Sequence, residues 1–558
     1  MPVELPLMVG GSAEALLRET YGVRLLSYLC AADESDVAAR LEGNLTLRAE
    51  SEVVLNGELL PLATRVAADA DEQPFRTAMR LSQTLGQYHE PLGISVGNAI
   101  RRAAGGEIAA PPDVPGRLET LLCRLAIDQF PALLVNRAEP WHPFGLYLFR
   151  HPDDAEVQQL VLADADLARL YPSGDPSGGR RGYMYTLNRG NSIQSVLMAP
   201  MAIQAAWDSV TVRTANPSPD DLCTVLLRHL DLLRGAIRGE RVRVRALVAF
   251  TGIKAEDADT IAMPWGSLRP LGDHERRLAS PIQEGDVTTT DDAGGQVTVS
   301  YGGELVLETT ADYRLTIKPI TDDPLPGRWP HIGSLNDLIA QTEAIQLAAL
   351  LAIPRPPAQS VIARPAWTWI EQLFAFGSNL GWSDTRSAPG FVPYALTAED
   401  CRELTRFCEL IDRHRQPTAD IAIRRVISAV QVRAEPADRL VDSVIAWENL
   451  FGTSEGEPRL RISAAMAWLL ASDAATREAL QLEIKAIYDA RSKIVHGAAA
   501  NDPDLPDQAN RALGLALDSL RVLFSARDDV LRLGDGAKRS LRLILDLGGA
   551  AADEITAG

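Results

Sequence analysis

Two helical segments carry side chains suited to acid–base and phosphate chemistry. Tyr488-Asp489-Ala490-Arg491-Ser492-Lys493-Ile494-Val495-His496-Gly497 places an arginine and a histidine five residues apart near the end of the longer one. Advancing about 100° per residue from Leu480 puts Ile484, Ile487, Tyr488, Ile494 and Val495 on one arc, with Arg491 near its middle. A guanidinium keeps its proton and is rarely buried without an anion, so this face needs a carboxylate partner or a cleft that admits an anion. A partner is offered by the segment Asp438–Gly452, where Leu440, Val441, Val444, Trp447 and Phe451 form an apolar stripe and Glu448 projects between Val441 and Val444. One reading is a buried Arg491–Glu448 pair that fixes how two helices dock and adds little net stability, because desolvation offsets the attraction. The other gives Arg491 to an anionic substrate with His496 beside it. Five residues turn a helix by roughly 140°, so the two share a groove only if the last turn before Gly497, a C′ residue, loosens and re-aims the imidazole.

Arg491-x4-His496 matches the R-x(4–6)-H motif of the HEPN superfamily, and the ten-residue string around it resembles the form found in Apea-like HEPN domains. The preceding Asp438-Arg439-Leu440-x-Asp442 and Trp447-Glu448-x-Leu450-Phe451 are similar to the acidic helix that comes before the motif in those proteins. The resemblance implies an all-α bundle that forms a homodimer, with two motifs facing each other across the two-fold axis, and a metal-independent endoribonuclease needing no cofactor. In that chemistry the ribose 2′-hydroxyl attacks the adjacent phosphorus and leaves a 2′,3′-cyclic phosphate and a 5′-hydroxyl. Arg491 and His496 are then the catalytic pair. The imidazole titrates near neutral pH and moves protons, and the guanidinium holds the phosphate through two parallel N–H bonds. Glu448, Tyr488 and Asp442 orient the pair, Ser492 follows the arginine, and Lys493 contacts RNA. Many active members carry Asn, Asp or His after the arginine, whereas Ser492 keeps only a hydroxyl, which points to a gated enzyme or a narrow substrate. Such architecture is linked to toxin-like and phage-defence systems in bacteria. The alternative is a catalytically inactive HEPN dimer that binds nucleotide or RNA, or scaffolds a complex.

Composition sets the outer bounds. With 558 residues, 46% hydrophobic and 23% charged, the chain has the make-up of a multidomain globular protein. A net charge of −19 argues against coating nucleic acid non-specifically, since that relies on a basic surface, but leaves room for a local basic site. The five scattered cysteines have no ligand spacing and fit a reduced cytoplasm; Cys401 and Cys408 read as small core residues. No basic leader and no run of eighteen apolar residues is expected to direct the chain to or through a membrane.

The elements that must position the motif read as a mixed α/β N-terminal region (1–325, subdivided near 110), serving as a sensor with an unknown ligand or regulator, a helical connector (326–395) and a helical bundle (396–558). Within the first region, Ala13–Tyr21, Phe75–Tyr88, Arg117–Phe130 and Asp220–Arg238 predict helices. Asn56-Gly57 predicts a hairpin within Asn44–Glu58, and Phe144–Phe149 predicts a short strand. Tyr171–Tyr185 reads as a Gly-rich loop whose two Arg and two Tyr either stack on bases or form a solvated connection. Arg241, Arg243 and Arg245 alternate with valines as a charge-protected strand edge or an anion-binding ledge. Val297–Val299 and Glu304–Glu308 predict a hairpin about Gly302-Gly303, and Trp367–Trp382 an aromatic, partly helical segment. In the bundle, Thr397-Ala398-Glu399-Asp400 predicts a capped helix start, followed by helices near Ile421–Arg433, Ala437–Phe451, Arg459–Ala471, Ala474–Val495, Pro506–Ala526 and Ala537–Leu547.

Overall fold

These periodicities become mixed α/β structure with a helical C-terminal region, described in a computed structural model for residues 12–68, 74–135, 151–174, 179–187, 189–256, 260–279, 286–290, 296–320, 333, 335–356, 359–374, 379–383, 392–453, 457–496 and 503–545. The expected strand at Phe144–Phe149, the prolines of 324–330, Gly497 and the tail after 550 lie outside the described residues. The chain forms two compact units that do not follow one another in sequence: residues 1–244, 312–335 and 370–380 make the first, and 245–311, 336–369 and 381–558 the second. Where the sequence reading placed boundaries near 110, 325 and 395, the units are interleaved.

In the first unit, the helices Ala13–Cys30, Arg117–Leu133, Met198–Arg213 and Pro219–Arg238 bury Leu25, Leu26, Leu29, Leu121, Leu122, Phe130 and Leu226 almost completely. Pro219–Arg238 starts with a reciprocal Ser218–Asp221 capping box and stops at Gly239, whose φ of 88° is the left-handed cap that glycine adopts without strain. The Asn56-Gly57 hairpin does not form. Val54, Leu55, Leu59, Leu62, Ala63 and Val66 recur at helical spacing, and their burial outweighs the turn signal in a continuous run of α and π turns over Ala49–Ala68. Arg180–Thr186 is a strand, not a loop. It pairs with Leu315–Lys318 and Arg189–Gln194, and the unbroken buried run Gly182–Thr186 includes Tyr183 and Tyr185, so neither ring is exposed for stacking on a base.

Buried Glu371 collects Ser209, Arg213, Arg228 and His229 around one carboxylate oxygen in this unit. Burial alone raises a carboxyl's pKa, but the hydrogen bond and charge of His229 and the Arg228 guanidinium hold Glu371 well below the usual range.

Most of a six-stranded sheet belongs to the second unit, in the order Asn379–Trp382, Arg364–Ile370, Val242–Thr251, Leu305–Tyr313, Gly266–Pro270, Ile261–Met263. Val242–Thr251 lies inside this sheet, so its arginines guard no edge, and carboxylates partner them where an anion was the alternative. Arg245 pairs with Glu308 at 2.6 Å, and Arg269 joins Glu308 to fully buried Glu275. In the first unit, Arg241 reaches Asp312 at 3.3 Å. The hairpin about Gly302-Gly303 is also corrected. Val297–Val299 pair backwards with Val287–Thr289, while Leu305–Glu308 pair with Ser267–Pro270, because Gly303 at φ 106° turns the chain between two different ladders. Trp367–Trp382 contributes strands in place of helix, with Trp367 and Trp369 buried by period-two alternation.

The helices of the second unit are Asn336–Ala352, Ala398–His414, Asp420–Gln431, Pro436–Phe451, Pro458–Leu470, Ala474–Val495, Leu505–Ser525, Asp528–Leu531 and Gly536–Ile544. Thr397 accepts from Asp400 N–H and the Asp400 carboxylate accepts in return, giving the expected capping box. Cys401 and Cys408 are buried and not joined in a disulfide.

Glu304 generates a pH prediction. Its Oε1 accepts from Ser300 N–H at 3.2 Å, its Oε2 is buried with no partner among the described residues, and burial pushes its carboxyl up to about 7. The folded chain therefore holds a proton that the unfolded chain has released, so this group makes stability fall as pH rises from about 4.5 to about 7. Glu304→Gln should match the wild type near pH 4 and exceed it by about 3 kcal/mol near pH 8 in denaturant unfolding.

Candidate functional site

The motif helix Ala474–Val495 starts on Asp473, whose side chain accepts from Thr476 N–H at 2.9 Å, and buries Leu480, Ile484 and Ile487. Three contacts tie it to Pro458–Leu470: Arg459 Nη1 bonds both Asp489 oxygens at 2.7 and 2.9 Å, Gln481 donates to Ser463, and Arg477 stacks over Trp468 at 3.8 Å. The acidic helix Pro436–Phe451 is anchored more deeply, with Leu440, Val444, Trp447, Leu450 and Phe451 fully buried. Its C-terminal carbonyls are held by Arg539. This buried guanidinium donates to Leu450 O at 2.8 Å, Asn449 O at 2.9 Å, Leu533 O at 3.0 Å and Thr418 Oγ1 at 3.1 Å. Asn449 Oδ1 in turn accepts from Ala422 N–H, so the residue next to Glu448 is fixed through both backbone and side chain.

On this frame the acidic and motif helices bring three predicted residues together. Tyr488 donates its hydroxyl to Glu448 Oε1 at 2.7 Å, and Arg491 Nη2 approaches Glu448 Oε2 at 3.5 Å, a long contact. The Arg491 and Glu448 side chains are 23% and 31% exposed. A pair so placed contributes about 1 kcal/mol or less. Arg491 Nε is buried and has no partner among the described residues. Burial, and then the Glu448 carboxylate, push the Tyr488 phenol up to about 12. Tyr488 is therefore a proton donor at neutral pH and not a base. The cluster can hold an anion: Glu448 and Tyr488 orient a guanidinium that keeps unused donors.

Other predicted residues lie elsewhere. His496 is the C-cap, with φ −90° and ψ 11°; it is exposed, and its ring has no hydrogen bond to a described residue, so within one chain it does not join Arg491. Asp442 is corrected. It is buried, but Arg425, Arg433 and Ser428 take its oxygens at 2.6, 2.8 and 3.0 Å, because it points away from the motif helix and toward Asp420–Gln431. Val495, expected on the buried arc, is 54% exposed, since the helix ends there and outruns its neighbours. Lys493 is exposed, and Ser492 is half-buried with its carbonyl accepting from His496 N–H at 3.2 Å.

No family model, curated protein or solved structure matches the chain. Among the described residues no group of three or more His, Cys, Asp or Glu side chains is placed to hold a metal ion, and no helix is long and apolar enough to cross a membrane.

Arg539 was missed in the sequence, although the signal that exposed Arg491 applies to it. Gly536, Ser540 and Leu543, at i−3, i+1 and i+4, are buried, which places a cation on a packing face.

Arg539→Met should cost at least about 2 kcal/mol in denaturant unfolding, since several buried carbonyls lose their donor. Glu448→Ala should lower the Tyr488 phenol from about 12 while burial keeps it above its ordinary 10.0, measured by phenolate absorbance against Tyr488→Phe.

Proposed function

We propose that the C-terminal bundle is a HEPN-type, metal-independent endoribonuclease, acting in a bacterial cytoplasm as a toxin-like or phage-defence effector, with its groove completed by two-fold association. The observation that carries this reading is Arg491: a guanidinium on a packing face, oriented by Glu448 and Tyr488, yet with one long contact and an unpartnered buried Nε. An ordinary structural ion pair would use more of its donors. Exposed His496, at the end of the same helix, supports a site assembled from two copies, because an imidazole that does not meet its own arginine is free to face a partner's.

The reaction follows from these groups. The 2′-hydroxyl gives its proton to His496 and its oxygen bonds to phosphorus as the P–O5′ bond breaks, Arg491 offsets the charge gathering on the non-bridging oxygens, and the leaving 5′-oxygen takes a proton from water while the His496 imidazolium returns its own to solvent. Bonds and protons balance without an added reactant. Lys493, exposed in the last turn of the helix, suits the flanking backbone phosphate. The second reading, an inactive RNA- or nucleotide-binding dimer, is favoured by one fact: Glu448 already neutralises Arg491 within the chain.

Purified protein incubated with single-stranded RNA in EDTA should yield fragments with 2′,3′-cyclic phosphate and 5′-hydroxyl ends. His496→Ala and Arg491→Ala should each lower the rate at least a hundredfold, roughly the contribution of one acid–base or charge-stabilising group, with the dimer retained on sizing. Equal RNA survival with wild type and variants retires the enzyme and favours the inactive dimer.

A further inference from the structure

A second cluster of guanidinium groups lies in the same unit. A pocket of about 320 Å³ opens between the end of Asn336–Ala352 and the middle of Leu505–Ser525, floored by Gly514 and Leu517 and ringed by Arg355, Arg511 and Arg521. That volume is at the small end of ligand sites. Each arginine is braced on one side only. Arg355 stacks on Tyr394 at 4.4 Å from its ring centroid and donates Nη2 to the Tyr394 hydroxyl at 2.6 Å. Arg511 uses Nε and Nη2 to chelate Glu483 at 2.8 and 2.9 Å. Arg521 donates Nε to Leu351 O at 3.0 Å and Nη1 to Asp518 at 2.5 Å. Arg355 Nη1, Arg511 Nη1 and Arg521 Nη2 have no partner among the described residues.

Three cations face the pocket and one carboxylate, Asp518, lines it, on a chain of net charge −19. Arginines pre-oriented by stacking and chelation lose little freedom on meeting an anion, and their planar forks match phosphate oxygens. Glu483, which holds Arg511, precedes Arg491 on the motif helix by eight residues (491 − 483), a rise of about 12 Å.

We infer that this pocket binds phosphate groups of the RNA strand a few nucleotides from the cleavage groove, giving an acidic protein a local grip on its substrate. The RNA identity rests on the proposed function; the phosphate chemistry rests on the pocket alone. A short fluorescent oligouridylate is titrated against the full chain carrying His496→Ala, with uridine monophosphate and inorganic phosphate as separate arms. Arg355→Glu should weaken oligouridylate binding at least tenfold and flatten the salt slope by about 0.7 for each phosphate no longer neutralised. Arg355 is exposed, so its melting temperature should stay unchanged; Arg521→Gln serves as the second variant, with the same weakening expected. Wild-type-like binding by both variants overturns the inference. Monophosphate binding as tightly as the oligomer, and equally sensitive to Arg355→Glu, overturns the strand grip in favour of a free-nucleotide site. A chain that binds the oligomer through these arginines but cleaves no RNA as wild type retires the nuclease and leaves the pocket. Cleavage that persists with pocket variants binding normally does the reverse.

Discussion

The second unit depends on a cation placed where a helix ends. Arg539 is fully buried, and among the described residues its acceptors are the carbonyls of Asn449, Leu450 and Leu533 and the hydroxyl of Thr418, with no carboxylate hydrogen-bonded to it. The last carbonyls of a helix are unsatisfied and carry partial negative charge, so a guanidinium there meets both requirements at once. The same contact holds the last turn of the acidic helix at the Asn449 and Leu450 carbonyls, one and two residues beyond Glu448. Gly452 and Gly536 meet at this junction, and a side chain on Gly536 would come within 2.7 Å of the Gly452 carbonyl. The position of Glu448, and through it the orientation of Tyr488 and Arg491, is thus fixed by packing on the far side of the helix from the cluster.

Three arginines of the second unit's helices follow one rule with different outcomes. Arg539 spends its donors on backbone carbonyls and is structural. Arg425, whose bond to Asp442 is 2.6 Å, spends its contact on a buried carboxylate. Arg491 spends little, which is why a substrate is invoked for it. What distinguishes them is how many N–H groups the fold satisfies, a quantity that residue type and helical phase do not contain.

This distinction also marks what was legible in the sequence. The span Ala474–Val495 and the capped start of the helix on Thr397 were readable from amphipathic spacing and cap chemistry, and helical phase offered the Arg491–Glu448 pair, while Tyr488 entered as an orienting residue only through the resemblance. The failures share a cause. Asn56-Gly57 gave a local turn signal that burial of Leu55 and Leu59 overrode. The ladder partners of Val297–Val299 and Leu305–Glu308 were set by distant strands, beyond the reach of a window. Asp442 was assigned to the motif through the resemblance of Asp438-Arg439-Leu440-x-Asp442 to an acidic helix, yet six residues of helix turn it about 120° away from Glu448.

The interleaving of the two units has a consequence for synthesis on the ribosome. Strand Val242–Thr251 begins a sheet whose last strand is not made until Asn379–Trp382, and the first unit is incomplete until residue 380 has emerged. Cotranslational folding proceeds from the N-terminus, so the Arg491-bearing helix is added after the rest of the sheet scaffold is already in hand. On the proposed reading, a nascent chain would complete the first unit and the sheet before it acquires Arg491 and His496.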